Sequence, residues 1–161
     1  MPLSKLRSFL DSHKVKYLVI SHSLAYTAQG VAALAHVSGK KLAKTVILKI
    51  DGALAMAVIP ASLHVDLARV RALSGAKIVE LATEREFKDA FSDCETGAMP
   101  PFGNLYGMTV YADANLASND EITFCAGSHR ELVRMKWEDL VRLVNPTIDQ
   151  LTYRQLSGAA A

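Results

Sequence analysis

The chain has 161 residues, half of them apolar, which suits a single domain with its own hydrophobic core. It has no run of 18 apolar residues and carries charges throughout its first segment, so neither a membrane span nor a signal peptide is predicted. The two cysteines lack the spacing of a zinc site or a disulfide scaffold, and a reducing, cytoplasmic location is expected.

The net charge is only +2, but it is unevenly distributed. Residues 1–50 hold eight Lys or Arg against one acid, whereas residues 51–161 hold ten against fifteen. Such a basic segment can mark a nucleic-acid partner, because lysine and arginine displace the counterions condensed on phosphates. Charge alone slightly favours the other interpretation, a solvated helix face followed by a basic turn.

In chain order, the first predicted element is an amphipathic helix over residues 4–13 with Ser4 as its N-cap. A strand over residues 15–21 follows, and then a helix that Thr27 caps, running through His36 and closing at Gly39. Two apolar runs flank Asp51-Gly52, which predicts an antiparallel hairpin over residues 42–60.

The middle of the chain mixes helices, a strand and one long loop. Asp66 is predicted to begin a helix that Gly75 ends, and residues 77–81 resemble a strand. Thr83 and Glu86 have the spacing of a capping box, which predicts a helix through Phe91. Residues 92–107 contain three glycines and two prolines, which predicts an ordered loop of the kind that often binds ligands.

Strands are predicted again at residues 108–113, 121–127 and 131–135. A last helix over residues 137–144 should end at Asn145-Pro146, ahead of a frayed tail at residues 157–161. The order of elements predicts a single α/β domain over residues 1–161, in which helices pack around a mixed, largely antiparallel sheet.

Most ready-made enzyme signatures are missing from the sequence. It has no Walker A or dinucleotide-binding glycine motif and no nucleophile elbow, and neither cysteine is expected to be a nucleophile. The five histidines are too dispersed for a local metal motif, so no metal is predicted.

Three weak features remain, each with a plainer alternative. Lys44 heads a strand whose alternate residues are apolar, although an edge lysine that blocks sheet association is the commoner explanation. The segment "GAMPPFG" (97–103) could expose backbone N–H groups or could be only a stiff turn. His129, in "GSH" after a strand, could donate to a substrate, although an exposed turn histidine is commoner.

Taken together and in order, "LAKTVILK", "ATEREF", "GAMPPFG" and "EITFCAGSH" resemble the YbaK/prolyl-tRNA synthetase-associated (INS-like) domain family over roughly residues 15–145. This resemblance implies a YbaK-like fold and a trans-editing hydrolase that deacylates mischarged tRNA, with tRNA-Pro or a related tRNA carrying a small wrong amino acid as substrate. It implies no metal and no cofactor. The expected partners are the acceptor end of the mischarged tRNA, with prolyl-tRNA synthetase or an elongation factor as further partners, and no membrane.

By the same resemblance Lys44, Gly97 and His129 are the catalytic candidates. The expected substrate-binding residues are Tyr26, Thr27, Thr45, Ala98, Met99, Pro100, Pro101, Phe102, Gly103, Gly127 and Ser128. Thr45 stands where alanine-specific free-standing members have Asn, which leaves the amino acid open. Lys44 is expected to anchor the terminal adenosine, since a role as general base would need a strongly lowered pKa. A non-catalytic tRNA-binding module of the same fold is the alternative, and a small-molecule sensor is a third possibility.

Overall fold

One mixed sheet organises the protein. The structure, a computed structural model, describes residues 3–21 and 41–153, and within them eight strands form this sheet with four helices around it. Four of the strand pairings are antiparallel and three are parallel, which confirms the predicted fold class. The expected helix from Thr27, the candidate residue Tyr26 and the tail at 157–161 lie outside the described residues.

The sheet has the order β1-β8-β7-β2-β3-β6-β9, with β5 also paired to β2 and with β4 and β10 forming a separate small ribbon. The strands are β1 (Tyr17–Ser21), β2 (Leu42–Ile50), β3 (Ala53–Pro60), β4 (His64–Val65), β5 (Val79–Leu81), β6 (Thr109–Asp113), β7 (Glu121–Cys125), β8 (Glu131–Lys136), β9 (Thr147–Asp149) and β10 (Thr152–Tyr153). The helices are α1 (Ser4–Ser12), α2 (Leu67–Ser74), α3 (Glu84–Phe87) and α4 (Trp137–Val144). Short 3₁₀ turns span Gly103–Tyr106 and Ala114–Ser118.

The hairpin of β2 and β3 is antiparallel, as predicted, and forms the centre of the sheet. Asp51 and Gly52 have φ of 48° and 86°, the two positive values that a type I′ turn requires. Outside the hairpin, β2 pairs in parallel with β7 and β3 pairs in parallel with β6. The two strands of the hairpin therefore join the two halves of the sheet.

Each face of the sheet packs against its own apolar core, because alternate residues of a strand point to opposite faces. On β2, Ala43 and Ile47 belong to the larger core, which also contains Phe102 and Phe124. Leu48 belongs to a smaller core on the other face with α2.

Two predicted helix ends are confirmed. Asp66 accepts the N–H groups of Ala68 and Arg69 at the start of α2, and Gly75 ends that helix with φ of 71°. Thr83 and Glu86 form the predicted capping box at the start of α3. Lys49 binds Glu86, and this contact holds the pKa of Glu86 down at about 2.

Two details of the predicted helices were wrong. The N-cap of α1 is Leu3, and Ser4 is the first helical residue. No side chain caps this end of the helix. The α3 helix ends at Phe87 instead of Phe91, and hydrogen-bonded turns continue to Cys94. The capping box fixes where a helix begins, but the length of the helix depends on packing. None of the helical residues Glu84–Phe87 is buried.

Strands β9 and β10 were not predicted, because three and two residues are too few to show a period. A buried carboxylate holds this segment in place. Asp113 is fully buried and accepts the backbone N–H of Leu151 at 2.8 Å, the Thr152 hydroxyl at 3.1 Å and the Asn115 side-chain amide at 2.8 Å.

Replacing Asp113 with Ala should lower the free energy of unfolding by about 1–3 kcal/mol, because the Leu151 N–H would stay buried without an acceptor. Urea unfolding followed by circular dichroism measures this change. Asp120→Ala, at an exposed position, is the matched control. A loss within about 0.5 kcal/mol of the control, the usual range for surface substitutions, would contradict the anchoring role of Asp113.

Candidate active site

The long loop of residues 92–107 contains a tight turn at its exposed part. The Ala98 N–H donates to the Glu95 carbonyl at 3.0 Å, which makes residues 95–98 a β-turn with Thr96 and Gly97 at its centre. Gly97 has φ of 84°, the value of the third residue in a type II turn, where glycine is favoured. The sequence therefore needs its glycine at this position for a backbone reason.

This turn is bonded to the segment that follows β7. The Gly127 N–H donates to the Ala98 carbonyl at 2.8 Å, and the Glu95 N–H donates to the Gly127 carbonyl at 2.8 Å. Gly127 also has positive φ, at 92°. We call residues 95–98 together with residues 127–129 the glycine clamp.

His129 completes the glycine clamp with two further contacts. Its backbone N–H donates to Glu95 Oε1 at 2.7 Å, and its ring Nε2 lies 2.7 Å from the Thr96 carbonyl oxygen. A carbonyl oxygen can only accept, so this Nε2 carries a proton. The residue is only 4% exposed. The structure thus brings Gly97, Gly127 and His129 together, although they come from two distant segments of the sequence.

The expected substrate-binding residues of the loop divide into an exposed part and a buried part. Gly97 is exposed, whereas Ala98, Met99, Pro100, Pro101, Phe102 and Gly103 are all buried. The Phe102 ring lies 6.0 Å from that of Phe9 and 5.6 Å from that of Phe124, inside the larger core. A Cβ at Gly103 would lie only 2.6 Å from Val110 Cγ2, so glycine is needed there for packing. Residues 98–103 therefore pack in the interior and hold the exposed turn in place.

Lys44 is half-buried at the beginning of β2. It lies opposite Ile59 in the hairpin, on the face of the smaller core, as its spacing from Leu48 predicted. Burial lowers the pKa of this lysine. Among the described residues, Lys44 makes no hydrogen bond or ion pair with the glycine clamp or with any other group.

The strand register relates Lys44 to the glycine clamp. Ala43 pairs in parallel with Phe124, so Lys44 is level with Cys125, and Gly127 follows two residues later. With strands about 5 Å apart and about 3.3 Å per residue along them, the clamp begins within roughly 10 Å of the Lys44 backbone. Lys44 and the clamp thus lie at the same end of the sheet, although Met99 and Phe102 pack on the opposite face.

The remaining expected site residues are less informative. Thr45 is half-buried beside Val58, on the face of the larger core. The Ser128 hydroxyl accepts the Arg130 N–H at 3.0 Å, which shapes the turn that carries His129. Tyr26 and Thr27 lie outside the described residues.

Neither cysteine has the electrostatic surroundings of a nucleophile. Burial raises the pKa of Cys94 to about 11. Burial, with a smaller contribution from the Glu95 carboxylate, raises the pKa of Cys125 to about 11. Both thiols are therefore protonated at neutral pH, so neither is a thiolate nucleophile.

A basic groove lies on the Lys44 face, towards the β1 edge of the sheet. It encloses about 360 Å³ and is bordered by Lys16, Arg134 and Lys136, with Glu121 as an acidic member. Arg134 pairs with Leu18 on one side and Thr123 on the other, and Thr123 pairs with Leu42. None of the three cations lies within 4 Å of a carboxylate in the part of the chain that the structure describes.

Sequence reasoning missed Glu95, Thr96, Arg134 and Lys136. The Glu-Thr-Gly order of residues 95–97 is compatible with a type II turn, since glycine occupies its third position. The partner of that turn, residues 127–129, could not be identified from spacing. Arg134 and Lys136 are two positions apart on β8 and so share a face. Lys16 comes close to them only because β1 pairs with β8.

Among the described residues, no helix has the length and apolar character needed to cross a bilayer, and no cluster of three potential ligands could hold a metal ion.

Comparison with known proteins gives both a sequence family and a fold. A family model described as the aminoacyl-tRNA editing domain matches residues 22–143. The proline–tRNA ligases of Bacillus mycoides (strain KBAB4) and Bacillus cereus (strain AH187) are each 29% identical over 101 residues, which is 63% of this chain. The match covers 17% of the length of each ligase, so this chain is similar to one portion of them.

Two solved structures share the fold. A crystal structure of a protein described as hypothetical has a TM-score of 0.85 at 20% identity, covering 93% of this chain and 100% of that one. A crystal structure of a proposed trans-editing enzyme for prolyl-tRNA synthetase has a TM-score of 0.80 at 19% identity, covering 92% of this chain and 95% of that one. The family model spans most of the sequence, and the chain belongs to the aminoacyl-tRNA editing domain family.

Proposed function

We propose that this protein is a trans-editing aminoacyl-tRNA deacylase that hydrolyses the ester of a wrongly charged tRNA. The observation that carries the proposal is the exposed Gly97 N–H in the glycine clamp. No acceptor among the described residues bonds this N–H. A fixed, exposed N–H is what an ester hydrolase needs for its oxyanion.

The chemistry follows from the substrate. An aminoacyl-tRNA is an activated ester, and water cleaves it when the carbonyl is held still and the developing oxyanion meets positioned donors. The Gly97 N–H would be such a donor. The glycine clamp fixes it through several short hydrogen bonds, so little reorganisation is needed as charge develops on the oxygen.

Lys44 would hold the end of the tRNA. Its lowered pKa reflects an ammonium group partly withdrawn from water, where a phosphate or the ribose hydroxyls of the terminal adenosine would be a favourable partner. Its position at the same end of the sheet as the glycine clamp suits an anchor that sets where the ester lies.

The basic groove would receive the phosphates upstream of the terminal adenosine. Lys16, Arg134 and Lys136 lie on the same face as Lys44 and have no carboxylate partner in the described regions. Two cations of the basic first third are less available for RNA, since Lys5 lies 3.9 Å from Asp93 and Lys49 binds Glu86. The contact surface would therefore combine residues from both ends of the chain.

The identity of the tRNA and of the amino acid is proposed only from the similarity to known proteins. The relatives named above are proline–tRNA ligases and a proposed trans-editing enzyme for prolyl-tRNA synthetase, which favours tRNA-Pro carrying a small wrong amino acid. Prolyl-tRNA synthetase or an elongation factor would be the protein partner, and the cytoplasm would be the location.

A non-catalytic tRNA-binding module is the second candidate, and one observation favours it. The His129 ring is buried and its Nε2 is bonded to Thr96, so this imidazole is not placed to activate water. A module would bind charged tRNA without accelerating its hydrolysis.

Lys44→Ala should lower kcat/KM for deacylation by about 10- to 100-fold, because a charge-assisted contact contributes about 1.5–3 kcal/mol. The measurement uses tRNA-Pro charged with alanine, cysteine, serine, threonine or 2-aminobutyrate. Lys41→Ala, an exposed lysine three residues earlier, is the control and should leave kcat/KM unchanged. Binding of the whole panel by the wild type without any cleavage would contradict the deacylase and favour the module.

The pH dependence of deacylation distinguishes an anchoring role of Lys44 from a role as general base. An anchoring ammonium loses its charge as the pH rises through its lowered pKa, so KM should rise towards alkaline pH in the wild type. Lys44→Arg keeps its charge and should show a flatter profile. If Lys44 were a general base, kcat would instead increase over the same range and Lys44→Arg would be inactive.

Replacing Arg134 and Lys136 with Gln should weaken tRNA binding and reduce its dependence on salt. Each lost phosphate contact lowers the slope of log K against log [salt] by about 0.7–0.9. Fluorescence anisotropy with uncharged tRNA between 50 and 200 mM salt, roughly the range over which such contacts are resolved, measures the slope. Lys77→Gln is the control, because Lys77 is an exposed lysine at the opposite end of β2, where its backbone N–H donates to Asp51. An unchanged slope would exclude the groove from the RNA interface.

A further inference from the structure

We infer that His129 is a positioning residue, which sets the direction of the Gly97 N–H through the carbonyl of Thr96. The inference rests on the proposed function in one respect, that this N–H meets the oxyanion of the ester. The structural part, the orientation of the Thr96–Gly97 peptide by the His129 ring, stands on the geometry of the glycine clamp.

The peptide unit between Thr96 and Gly97 links the two groups. The carbonyl of Thr96 and the N–H of Gly97 belong to one planar group, and no peptide bond in the described chain is cis. In a trans peptide the C=O and the N–H point in opposite directions. The ring of His129 holds the Thr96 oxygen at 2.7 Å on the buried side, so the Gly97 N–H is directed to the exposed side.

The type II turn explains why the direction of the Gly97 N–H has to be fixed by a further contact. Types I and II differ mainly by a rotation of the central peptide, and the third residue changes from negative to positive φ. Glycine accepts both signs, so Gly97 alone does not choose between the two turns. The bond from His129 to the Thr96 carbonyl stabilises the type II form, and its loss would allow the central peptide to rotate and turn the N–H away.

Other contacts hold His129 in the place from which it can act. The Glu95 carboxylate accepts the His129 backbone N–H at 2.7 Å, a charge-assisted bond. The Thr96 hydroxyl donates to Glu84 at 3.0 Å, which ties the turn to α3. The central peptide is thus held by the ring on one side and by neighbouring side chains at its ends.

The hydrogen bond also affects the strength of the donor. A carbonyl that accepts a hydrogen bond polarises its own peptide, and the N–H of the same peptide becomes a better donor. This effect operates on the transition state, where the oxygen carries charge, more than on the bound ester. A change at His129 should therefore lower kcat more than it raises KM.

The test compares His129→Ala with His129→Gln. The amide nitrogen of Gln lies at nearly the same distance along the side chain as His Nε2 and can donate to the Thr96 carbonyl. His13→Ala is the matched control, because the His13 ring also lies 2.8 Å from a backbone carbonyl, that of Phe9, but at the exposed C-cap of α1. Steady-state deacylation of mischarged tRNA gives kcat and KM, and thermal unfolding checks that each variant is folded.

His129→Ala should lower kcat by about 10²–10³-fold, the usual loss for one oxyanion donor, with KM within a few-fold of the wild type. His129→Gln should recover at least about tenfold of that loss and keep the wild-type pH profile, because neither residue transfers a proton to the ester. Equal losses in both variants, with one limb of the pH profile removed, would overturn the inference and make His129 an acid or base acting on the substrate.

A spectroscopic test of the same inference does not depend on deacylase activity. Nitrogen-15 spectra of the wild-type imidazole should show a protonated Nε2, and the Gly97 amide resonance should move strongly in His129→Ala, return towards its original position in His129→Gln and stay in place in His13→Ala. A Gly97 resonance that is indifferent to His129 would overturn the positioning role even in an active enzyme. If the wild type hydrolyses no mischarged tRNA, the proposed function fails, and the spectra still decide whether His129 orients the peptide.

Discussion

The orientation of one peptide unit, the one that joins Thr96 to Gly97, is the constraint on which the site depends. Its carbonyl accepts from the buried His129 ring, and its N–H is left on the exposed side of a type II turn. A backbone donor fixed in this way needs no side chain that ionises, which suits a site whose two cysteines are kept protonated by burial. In the proposed deacylase, the chemistry that remains would be the placement of water and ester against this donor.

The sheet supplies the distances that this arrangement needs. The parallel pairing of β2 with β7 places Lys44 beside Cys125, and the chain then enters the segment that binds the turn at residues 95–98. Beneath the turn, Met99 and Phe102 are part of the larger core, so the loop is supported by packing as well as by hydrogen bonds. The exposed turn is therefore supported by the buried residues 98–103 of the same loop.

The sequence predicted most features that depend on neighbouring residues, although the Ser4 cap of α1 was wrong. The Asp51-Gly52 turn, the Asp66 cap and the Thr83 capping box all follow from local geometry, and all are confirmed. Features that depend on distant contacts were missed. The bond between Glu95 and His129 joins residues 34 positions apart, and no pattern in either segment indicates it. The burial of Phe102 in the core was not indicated either, since the family resemblance gave only its membership of the loop.

The most direct test is a titration of the nitrogen-15 labelled protein with a non-hydrolysable analogue of the charged terminus, alanine joined to the 3′ position of adenosine through an amide. The account predicts that the Gly97 amide proton moves downfield and saturates with the analogue, while the amides of residues at the Asp51 turn do not move. Saturable binding that leaves the Gly97 resonance unchanged would contradict the claim that this N–H receives the ester oxygen.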